Sequence, residues 1–363
     1  MKDQRIVEVQ SGPPPTDAVH LGDVAILPGL VNAHTHLEFS DLTQPVGQPG
    51  ISLANWIGEV ISARTAAPER NKHDAILAGV TESLESGTRL IGDIATTPTD
   101  YPPSQIDVIS FAEVLGLSAE RSHERLAAAI DHNQANVNGG WSPHAPYSTL
   151  RSSIQTCVDQ SAKTHRPLAM HVAESPDERE LLVHGTGPLA DSLRAIGVWQ
   201  DSLFPWNDSP FVDLIQQLSA ASRTLLVHCN DLRDNEIATL AQHENMSAVF
   251  CPRTHAFFGY ERHPVAELIA AGVRVALGTD SRASNPDLNL WREAQWLMNH
   301  RPDISPADVL KMATLNGGDA LGQRDVGRIE VGAAAGLGKV STSAKTVENL
   351  YRDLATIGYT PLM

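Results

Sequence analysis

The chain carries two histidines at the end of an apolar run near its N-terminus, Leu27-Pro-Gly-Leu-Val-Asn-Ala-His34-Thr-His36. Residues two apart on a β-strand point to the same face, so this pair can present two imidazoles side by side. Neutral imidazole is a common zinc ligand, and a strand end gives it a rigid base. Because the chain has 15 His, the pair alone fits a metal site and two surface or capping histidines equally well. The downstream sequence favours the metal site.

The run that ends in this pair is the first of eight brief apolar runs, each followed by a helical stretch. The other seven end at Asp93, Glu113, His144, His171, His228, Pro252 and Asp280. Segments 74–84 and 264–272, which lie between runs, show the apolar spacing of helices. Alternating strands and helices predict an α/β protein with a parallel sheet, and eight repeats favour a closed (β/α)8 TIM barrel over an open sheet. The 363 residues are enough for such a barrel with additions.

We select five of the eight predicted strand ends as carrying the residues that bind a metal or move a proton at one rim. They are His34 with His36, His144, His171, His228 and Asp280. In (β/α)8 barrels the chemistry lies at this rim, where the strands end and the βα-loops begin. One histidine after an apolar run is more often a structural residue, but several at corresponding places of repeated units point to a shared site.

The predicted ligands of a single divalent metal ion are His34, His36, His171 and Asp280. Such a set suits Zn²⁺ best and also accepts Fe²⁺ or Mn²⁺, and it leaves a position for a water that loses its proton near neutral pH. Asp280 can accept that proton, or it can be a helix N-cap after the eighth strand. The fourth strand ends without a lysine. A carbamylated lysine bridging two metals is therefore not available there, which favours one ion.

Further side chains near these strand ends suit proton transfer or substrate contact. Glu174 follows His171 by three residues, and a carboxylate that is not a ligand can carry protons to a ring nitrogen and a leaving amine. The alternative for Glu174 is a solvated loop residue. His228 is a fifth ligand or, as we prefer, a group that orients the nucleophilic water. His144 lies in a loop held by two prolines and is, with Tyr147, a candidate substrate contact.

Composition favours a small-molecule substrate. The formal net charge is -16, with 43 acidic against 27 basic residues, which argues against nucleic acid or an anionic membrane surface as a partner. The three cysteines are too far apart for a disulfide framework or a Cys-X-X-Cys metal site. The N-terminus lacks the apolar core of a signal peptide, and no apolar run is long enough to span a membrane. We expect a cytoplasmic protein, and a homo-oligomer is compatible with the sequence.

The stretch 175–213 is longer than the other connections and carries several aromatic residues. We expect a helix followed by a loop that covers the site, with a packed surface loop as the alternative.

Four motifs, in their order and spacing, resemble those of the amidohydrolase superfamily. They are 28–36, 171–174, 228–229 and 277–281. The resemblance spans about residues 24–320 and is to the cytosine deaminase and S-adenosylhomocysteine deaminase-like branch, with 32–40 similar to the aminofutalosine deaminase-like subgroup. It implies a metal-dependent TIM barrel at 28–320 and a small β domain from 1–27 and 321–363. The segment 332–338 lacks the aspartate usual in the family, so we expect this β domain to be reduced.

The resemblance also implies a role for each site residue. The implied metal ligands are the four named above, His34, His36, His171 and Asp280. Glu174 is implied to protonate the substrate ring, and His228 to form a hydrogen bond with the water. The implied substrate contacts are His144, Trp56 and Ser284.

We therefore expect a hydrolytic deaminase that releases ammonia from an amino-substituted heterocycle. The adenine ring of adenosine, S-adenosylhomocysteine, methylthioadenosine or aminofutalosine is the expected kind of substrate. The His-X-Glu and Pro-Cys-X-X-Cys pattern of the small zinc deaminases is absent. Two alternatives stay open, namely a chlorohydrolase or cyclic amidohydrolase of the same superfamily, and a non-catalytic metal-binding homologue.

Overall fold

The computed structural model of the protein describes residues 5–13, 15–16, 18–66 and 71–362. The strands are β1 Val24–Pro28, β2 Leu30–Thr35, β3 Thr88–Ala95, β4 Asp107–Val114, β5 Gly139–Pro143, β6 Leu168–Val172, β7 Thr224–His228, β8 Met246–Phe250, β9 Arg274–Leu277, β10 Leu337–Ser341 and β11 Thr360–Leu362. The α-helices are α1 Leu53–Ala66, α2 Lys72–Glu85, α3 Ala119–Ala135, α4 Arg151–Thr164, α5 Pro176–His184, α6 Pro188–Ala195, α7 Pro210–Leu218, α8 Asp234–Leu240, α9 Pro252–Phe258, α10 Val265–Ala270, α11 Leu290–His300, α12 Pro306–Ala313, α13 Leu315–Leu321 and α14 Val347–Leu354.

Eight strands, β2 to β9, form one parallel sheet in chain order. Its two edges meet at a parallel bridge between Thr35, at the end of β2, and Asp280, just after β9. This bridge closes the sheet, and the helices between the strands cover its outer face. The predicted (β/α)8 barrel is confirmed, and the carboxyl ends of its strands form one rim.

The barrel interior is filled by alternate residues of the strands. Val31 and Ala33 of β2 pack there with Leu90 and Ile94 of β3 and with apolar side chains of five further strands, and α13 covers the end opposite the rim. The intervening residues of the strands pack outward against the helices. Burial on both faces explains why the strands appear in the sequence as short continuous apolar runs.

A second, antiparallel sheet joins the two ends of the chain in the order β1-β10-β11. Ile26 of β1 pairs with Lys339 of β10, and Gly338 pairs with Pro361 of β11. The Tyr359 hydroxyl donates a hydrogen bond of 2.9 Å to the carbonyl of Pro28, which ties this sheet to the start of the barrel. The expected small β-structure from both terminal segments is therefore present.

Two expected local structures differ in the molecule. Residues 5–9, whose alternating apolar and polar residues are typical of a short strand, form only an isolated bridge from Arg5 to Ala334, and Val7 and Val9 are exposed. The stretch 175–213 contains α5, α6 and the start of α7 rather than one helix and a loop. Pro188 and Pro210, which begin α6 and α7, are the signal that could have revealed the added helices, since proline favours the first helical turn.

No helix in the described parts of the chain combines the length and the apolar character needed to cross a membrane.

The terminal sheet generates a stability prediction at Gly338. A Cβ added there would lie 2.0 Å from the Tyr359 ring, whereas a Cβ added at Gly58 on α1 would meet nothing within 4 Å. We expect Gly338→Ala to lower the free energy of unfolding by about 1–3 kcal/mol through overpacking. The same change at Gly58 should raise it by about 1 kcal/mol, because alanine favours the helix. Urea denaturation measures both, and equal midpoints would contradict the packing of Tyr359.

Candidate active site

The closure of the barrel builds one side of the site. The N–H groups of Thr279 and Asp280 both donate to the carbonyl of His34 at 3.1 Å. The Thr35 hydroxyl donates to the carbonyl of Asp280 at 2.8 Å, and the Asn32 amide bonds the Thr279 hydroxyl at 2.8 Å. These bonds cross between the first and last strands of the barrel, so the residues after β9 are held beside those that end β2.

Three of the predicted ligands lie around one point. Ring nitrogens of His34, His36 and His171 lie within 4.8 Å of one another. The Asp280 Oδ1 atom is 3.6 Å from His34 Nε2 and 3.7 Å from His36 Nε2. The fourth predicted ligand therefore lies on the same cluster, and the donor set of three nitrogens and a carboxylate oxygen is one that a catalytic divalent metal takes.

The two ring nitrogens of His34 support a metal at this point. Its side chain is fully buried, and neither ring nitrogen has a hydrogen-bond partner among the described residues, which is uncommon for buried polar atoms. Burial, with the neighbouring His171, lowers the pKa of His34 well below its usual value. Burial likewise lowers the pKa of His171 to about 4. Both rings are therefore neutral at pH 7, the state in which imidazole binds a metal.

The hydrogen bonds of His171 leave one of its nitrogens for the cluster. Its Nδ1 lies 2.8 Å from the carbonyl of His144, which can only accept a hydrogen bond, so the ring proton belongs on Nδ1. Nε2 is then left with its lone pair. A hydrogen bond from the other nitrogen to a carbonyl is the usual way to orient a histidine ligand.

Ser284 holds Asp280 rather than facing a substrate. Its hydroxyl donates to Asp280 Oδ2 at 2.9 Å and lies 3.0 Å from the Thr254 hydroxyl. The residue has no exposed surface and is not among the residues lining the cavity. This position does not favour the expected contact of Ser284 with substrate, which stays a prediction. In the βα-loop after β9, the Ser284 hydroxyl points to the Asp280 carboxylate. Oδ1 of Asp280 is then the oxygen that faces the histidines.

Glu174 is a buried carboxyl beside the cluster. Its Oε1 lies 3.4 Å from His228 Nε2, and its Oε2 accepts a hydrogen bond of 3.2 Å from the Tyr147 hydroxyl. Burial raises the pKa of Glu174 well above its usual value, and the charges of Asp280 and Glu178 raise it further. The hydrogen bond from Tyr147 acts in the opposite direction. The site thus favours the protonated carboxyl that a general acid needs.

Hydrogen bonds with two neighbouring side chains hold the backbone around Glu174. The Glu178 carboxylate accepts hydrogen bonds from the N–H groups of Ala173 and Glu174 at 3.1 and 2.8 Å. Ala173 has φ 51°, a left-handed conformation that costs a residue with a Cβ about 1 kcal/mol. The Asn230 amide donates to the carbonyl of Glu174 at 2.8 Å. Three contacts therefore determine where Glu174 projects.

His228 faces Glu174 from the end of β7. It has φ 74°, and its carbonyl is 2.8 Å from His263 Nε2. Its ring stacks at 5.4 Å from that of His171, with 19° between the planes. Burial lowers the pKa of His228 well below its usual value, so the ring is neutral and can exchange hydrogen bonds with a water or with Glu174.

A cavity of about 300 Å³ opens above these groups. His144, Tyr147 and Trp56, the expected substrate contacts, line it, and Trp56 Nε1 donates a hydrogen bond of 3.1 Å to the carbonyl of Ala283. Helices α1 and α6, with the residue that follows α6, supply an apolar wall of Ile57, Val60, Ile61, Leu189, Leu193 and Ile196. The segment 175–213 therefore covers the site through α6.

Sequence reasoning missed the polar wall of this cavity, which consists of Glu38, Arg64 and Glu113. Glu113 had a usable signal, because it ends the third predicted barrel strand as the histidines end theirs. Glu38 and Arg64 had none, since their ion pair joins the loop after β2 to the far end of α1.

The model of the amidohydrolase family matches residues 25–353. The 5-methylthioadenosine/S-adenosylhomocysteine deaminase of Nitratidesulfovibrio vulgaris Hildenborough is 25% identical over 94% of this chain and 76% of its own. The aminodeoxyfutalosine deaminase of Deinococcus radiodurans is 29% identical over 85% of this chain and 76% of its own.

Among solved structures, the aminofutalosine deaminase of Helicobacter pylori in complex with methylthio-coformycin superposes with a TM-score of 0.81. The match is 22% identical in sequence and covers 94% of this chain and 87% of that one. At this identity the likeness shows a shared fold.

The ligand cluster predicts the metal content of two matched variants. His36→Ala should lower the bound metal, measured by elemental analysis, well below the content of about one ion per chain that a mononuclear site gives. His123→Ala, on the exposed face of α3, should leave it unchanged. Added Zn²⁺ should raise the melting temperature of the His123 variant more than that of the His36 variant, because a bound ion stabilises the folded state. Equal metal content in both variants would argue against the cluster as the site.

Proposed function

We propose that this chain, which belongs to the amidohydrolase family, is a metal-dependent deaminase of adenine nucleoside-like compounds. The observation that carries the proposal is the buried Glu174 carboxyl, which favours its protonated form beside the metal-binding cluster without being part of it. An aromatic ring that loses an amine needs a proton on a ring nitrogen, and this carboxyl can supply one. The deaminases named among the relatives support the same activity.

His34, His36, His171 and Asp280 are the residues that would hold the ion, which we propose to be a single Zn²⁺. When bound, a divalent ion lowers the pKa of water and so supplies a nucleophile near neutral pH. Three neutral nitrogens and one carboxylate suit Zn²⁺, and Fe²⁺ or Mn²⁺ can take the same donors.

The reaction adds one water to the carbon that carries the amine and breaks the C–N bond, releasing ammonia. Asp280 Oδ1 accepts a proton from the water, since its other oxygen already accepts the Ser284 hydrogen bond. The Glu174 carboxyl gives its proton to the ring nitrogen and later takes one from the added hydroxyl. Asp280 passes the proton it received to the leaving amine, so ammonia departs and both carboxyl groups return to their starting states. His228 Nε2, 3.4 Å from Glu174, orients the water and stabilises negative charge on the oxygen it becomes.

The cavity supports an uncharged aromatic substrate of nucleoside size. Trp56 and the apolar wall from α1 and α6 offer a surface to a flat ring and to apolar substituents. His144 lines the same cavity as the cluster, with its ring 4.8 Å from that of His171. Burial lowers the pKa of His144 to about 4, so it meets the substrate as a neutral group that can donate or accept a hydrogen bond.

We also propose the remaining features expected from the sequence. The barrel would comprise 28–320, and the small β domain 1–27 with 321–363. The net charge of -16 and the free, buried Cys157, Cys229 and Cys251 support a cytoplasmic protein with a small-molecule substrate and no nucleic-acid or membrane partner.

The test is ammonia release by the zinc-loaded protein from adenosine, methylthioadenosine, S-adenosylhomocysteine and aminofutalosine. We expect at least one of them to be deaminated. Turnover of a chlorinated heterocycle or a cyclic amide, with no ammonia from any aminoheterocycle, would replace the proposal by the chlorohydrolase or cyclic amidohydrolase alternative. Bound metal without any turnover would favour the non-catalytic homologue.

Glu174→Gln removes the acidic proton and keeps the size of the side chain. We expect kcat to fall by about 10²–10⁴-fold, the usual contribution of a general acid. Metal content should not change, because Glu174 is not among the proposed ligands. Glu180→Gln, an exposed change on α5, is the matched control and should keep full activity. A Glu174→Gln enzyme as active as this control would remove Glu174 from the mechanism.

We predict that the substitution Tyr147→Phe shifts the pH profile of kcat. The Tyr147 hydrogen bond stabilises the Glu174 carboxylate and so lowers its pKa. Its loss should raise the pKa of Glu174, and the enzyme should keep its general acid protonated to higher pH. We expect the alkaline limb of the profile to move upward by up to about one pH unit. A downward shift would contradict this assignment of Glu174.

A further inference from the structure

His263, in the loop 259–264 between α9 and α10, is a buried histidine that the proposed chemistry does not use. The residue is 1% exposed and is not among those that line the cavity. Its Nε2 atom lies 2.8 Å from the carbonyl of His228. Because a carbonyl can only accept a hydrogen bond, the ring proton belongs on Nε2. Burial lowers the pKa of His263 well below its usual value, so the ring is neutral and this is its one proton.

The backbone that accepts this hydrogen bond turns sharply at the end of β7. His228 has φ 74°, and Cys229, the next residue, has φ 56°. Residues with a Cβ rarely adopt this left-handed conformation, and two in succession keep it only where their surroundings hold them. The peptide group between the two residues is bonded at both ends. Its N–H donates to the carbonyl of Val172 at 3.0 Å, and its carbonyl accepts from His263.

His263 is itself fixed by two contacts. Its ring stacks on that of Phe250, the last residue of β8, with 3.7 Å between the ring centroids and 24° between the planes. The Arg301 guanidinium, just after α11, donates to the His263 carbonyl at 3.0 Å. Asp303 accepts two further hydrogen bonds from this guanidinium, at 2.9 and 2.8 Å. The ring and the backbone of His263 are therefore both held, and its donor stays directed at the end of β7.

The turn at the end of β7 determines where the His228 ring lies. The ring and the bonded carbonyl share one Cα atom, so a turn that relaxes to another conformation moves the ring. In the present turn, His228 Nε2 is 3.4 Å from Glu174 Oε1, and the ring centroid is 5.4 Å from that of His171. A side chain that orients a reacting water has to be held within about 0.5 Å of its working position.

We propose that His263 is a positioning residue, which holds the His228 ring toward the water through its hydrogen bond to the His228 carbonyl. The inference rests on the proposed function, which gives His228 the task of orienting that water. His263 neither lines the cavity nor belongs to the metal-binding cluster. Loss of its hydrogen bond should therefore lower kcat, while KM and the metal content stay close to those of the wild type.

The test compares three variants of the zinc-loaded protein on the nucleoside that the wild type deaminates best. His263→Phe keeps a flat ring on Phe250 but removes the donor, and kcat should fall by about 10–100-fold, the effect of a displacement of about 1 Å. His263→Gln keeps an amide N–H near the position of Nε2 and should recover most of kcat.

His255→Phe is the matched control and should keep kcat close to that of the wild type. His255 is also a buried histidine, and its ring packs on Phe250 at 5.7 Å between centroids. The described structure gives it no hydrogen bond to His228. If His263→Phe does not fold, His263→Asn replaces it, because the shorter amide does not reach the carbonyl.

A second background separates positioning from a loss of stability. His228→Ala removes the ring but keeps the carbonyl that accepts from His263. In this background His263→Phe should still lower the melting temperature, because the carbonyl loses its donor. It should leave the residual kcat unchanged, because no ring remains to be displaced. Equal slowing by His263→Phe in both backgrounds would overturn the inference, and so would a His255→Phe enzyme as slow as His263→Phe.

The position of the His228 ring can also be tested without turnover. If no nucleoside releases ammonia, the proposed deaminase function fails, and crystal structures of the zinc-loaded variants decide on His263 separately. A His228 ring that moves by more than about 0.5 Å in His263→Phe but not in His255→Phe supports the inference. A ring that stays in place in His263→Phe overturns it.

Discussion

The hydrogen bonds between the end of β2 and the residues after β9 are the constraint on which both the fold and the site depend. The His34 carbonyl accepts the N–H groups of Thr279 and Asp280, and the Thr35 hydroxyl returns a bond to the Asp280 carbonyl. Without them the eight strands would form an open sheet. With them, residues nearly 250 positions apart in the chain come together, and the backbone of a proposed ligand is itself part of the closure.

Burial then divides the site into groups with different tasks. Burial lowers the pKa of the cluster histidines and keeps them neutral, while it raises the pKa of Glu174 and favours its protonated form. The same low-dielectric environment thus favours metal binding at one point and acid catalysis a few ångströms away. Each group is held by a neighbour that does not face the cavity, Ser284 for Asp280 and Glu178 for Glu174. Positioning and chemistry are therefore carried by different side chains.

How far the sequence could predict the site follows from where each residue lies on its strand. His34, His171 and His228 lie within one residue of the ends of their strands. Parallel strands in a closed barrel bring their ends to one rim. Ser284 could not be assigned this way, because the direction of a loop side chain depends on the turn of the loop after β9. The pairing of Glu38 with Arg64 was equally hidden, since it depends on how α1 lies across the mouth of the barrel.

The sequence by itself determined the repeated βα pattern, the identity of the cluster residues and the place of Glu174 next to a strand end. These follow from local periodicity and from chemistry written into single residues. Only the tertiary structure decided that Ser284 supports Asp280, that α6 covers the cavity and that Glu113 faces it with Glu38. Those relations join segments far apart in the chain, and their geometry is set by packing, which leaves no period or motif in the sequence.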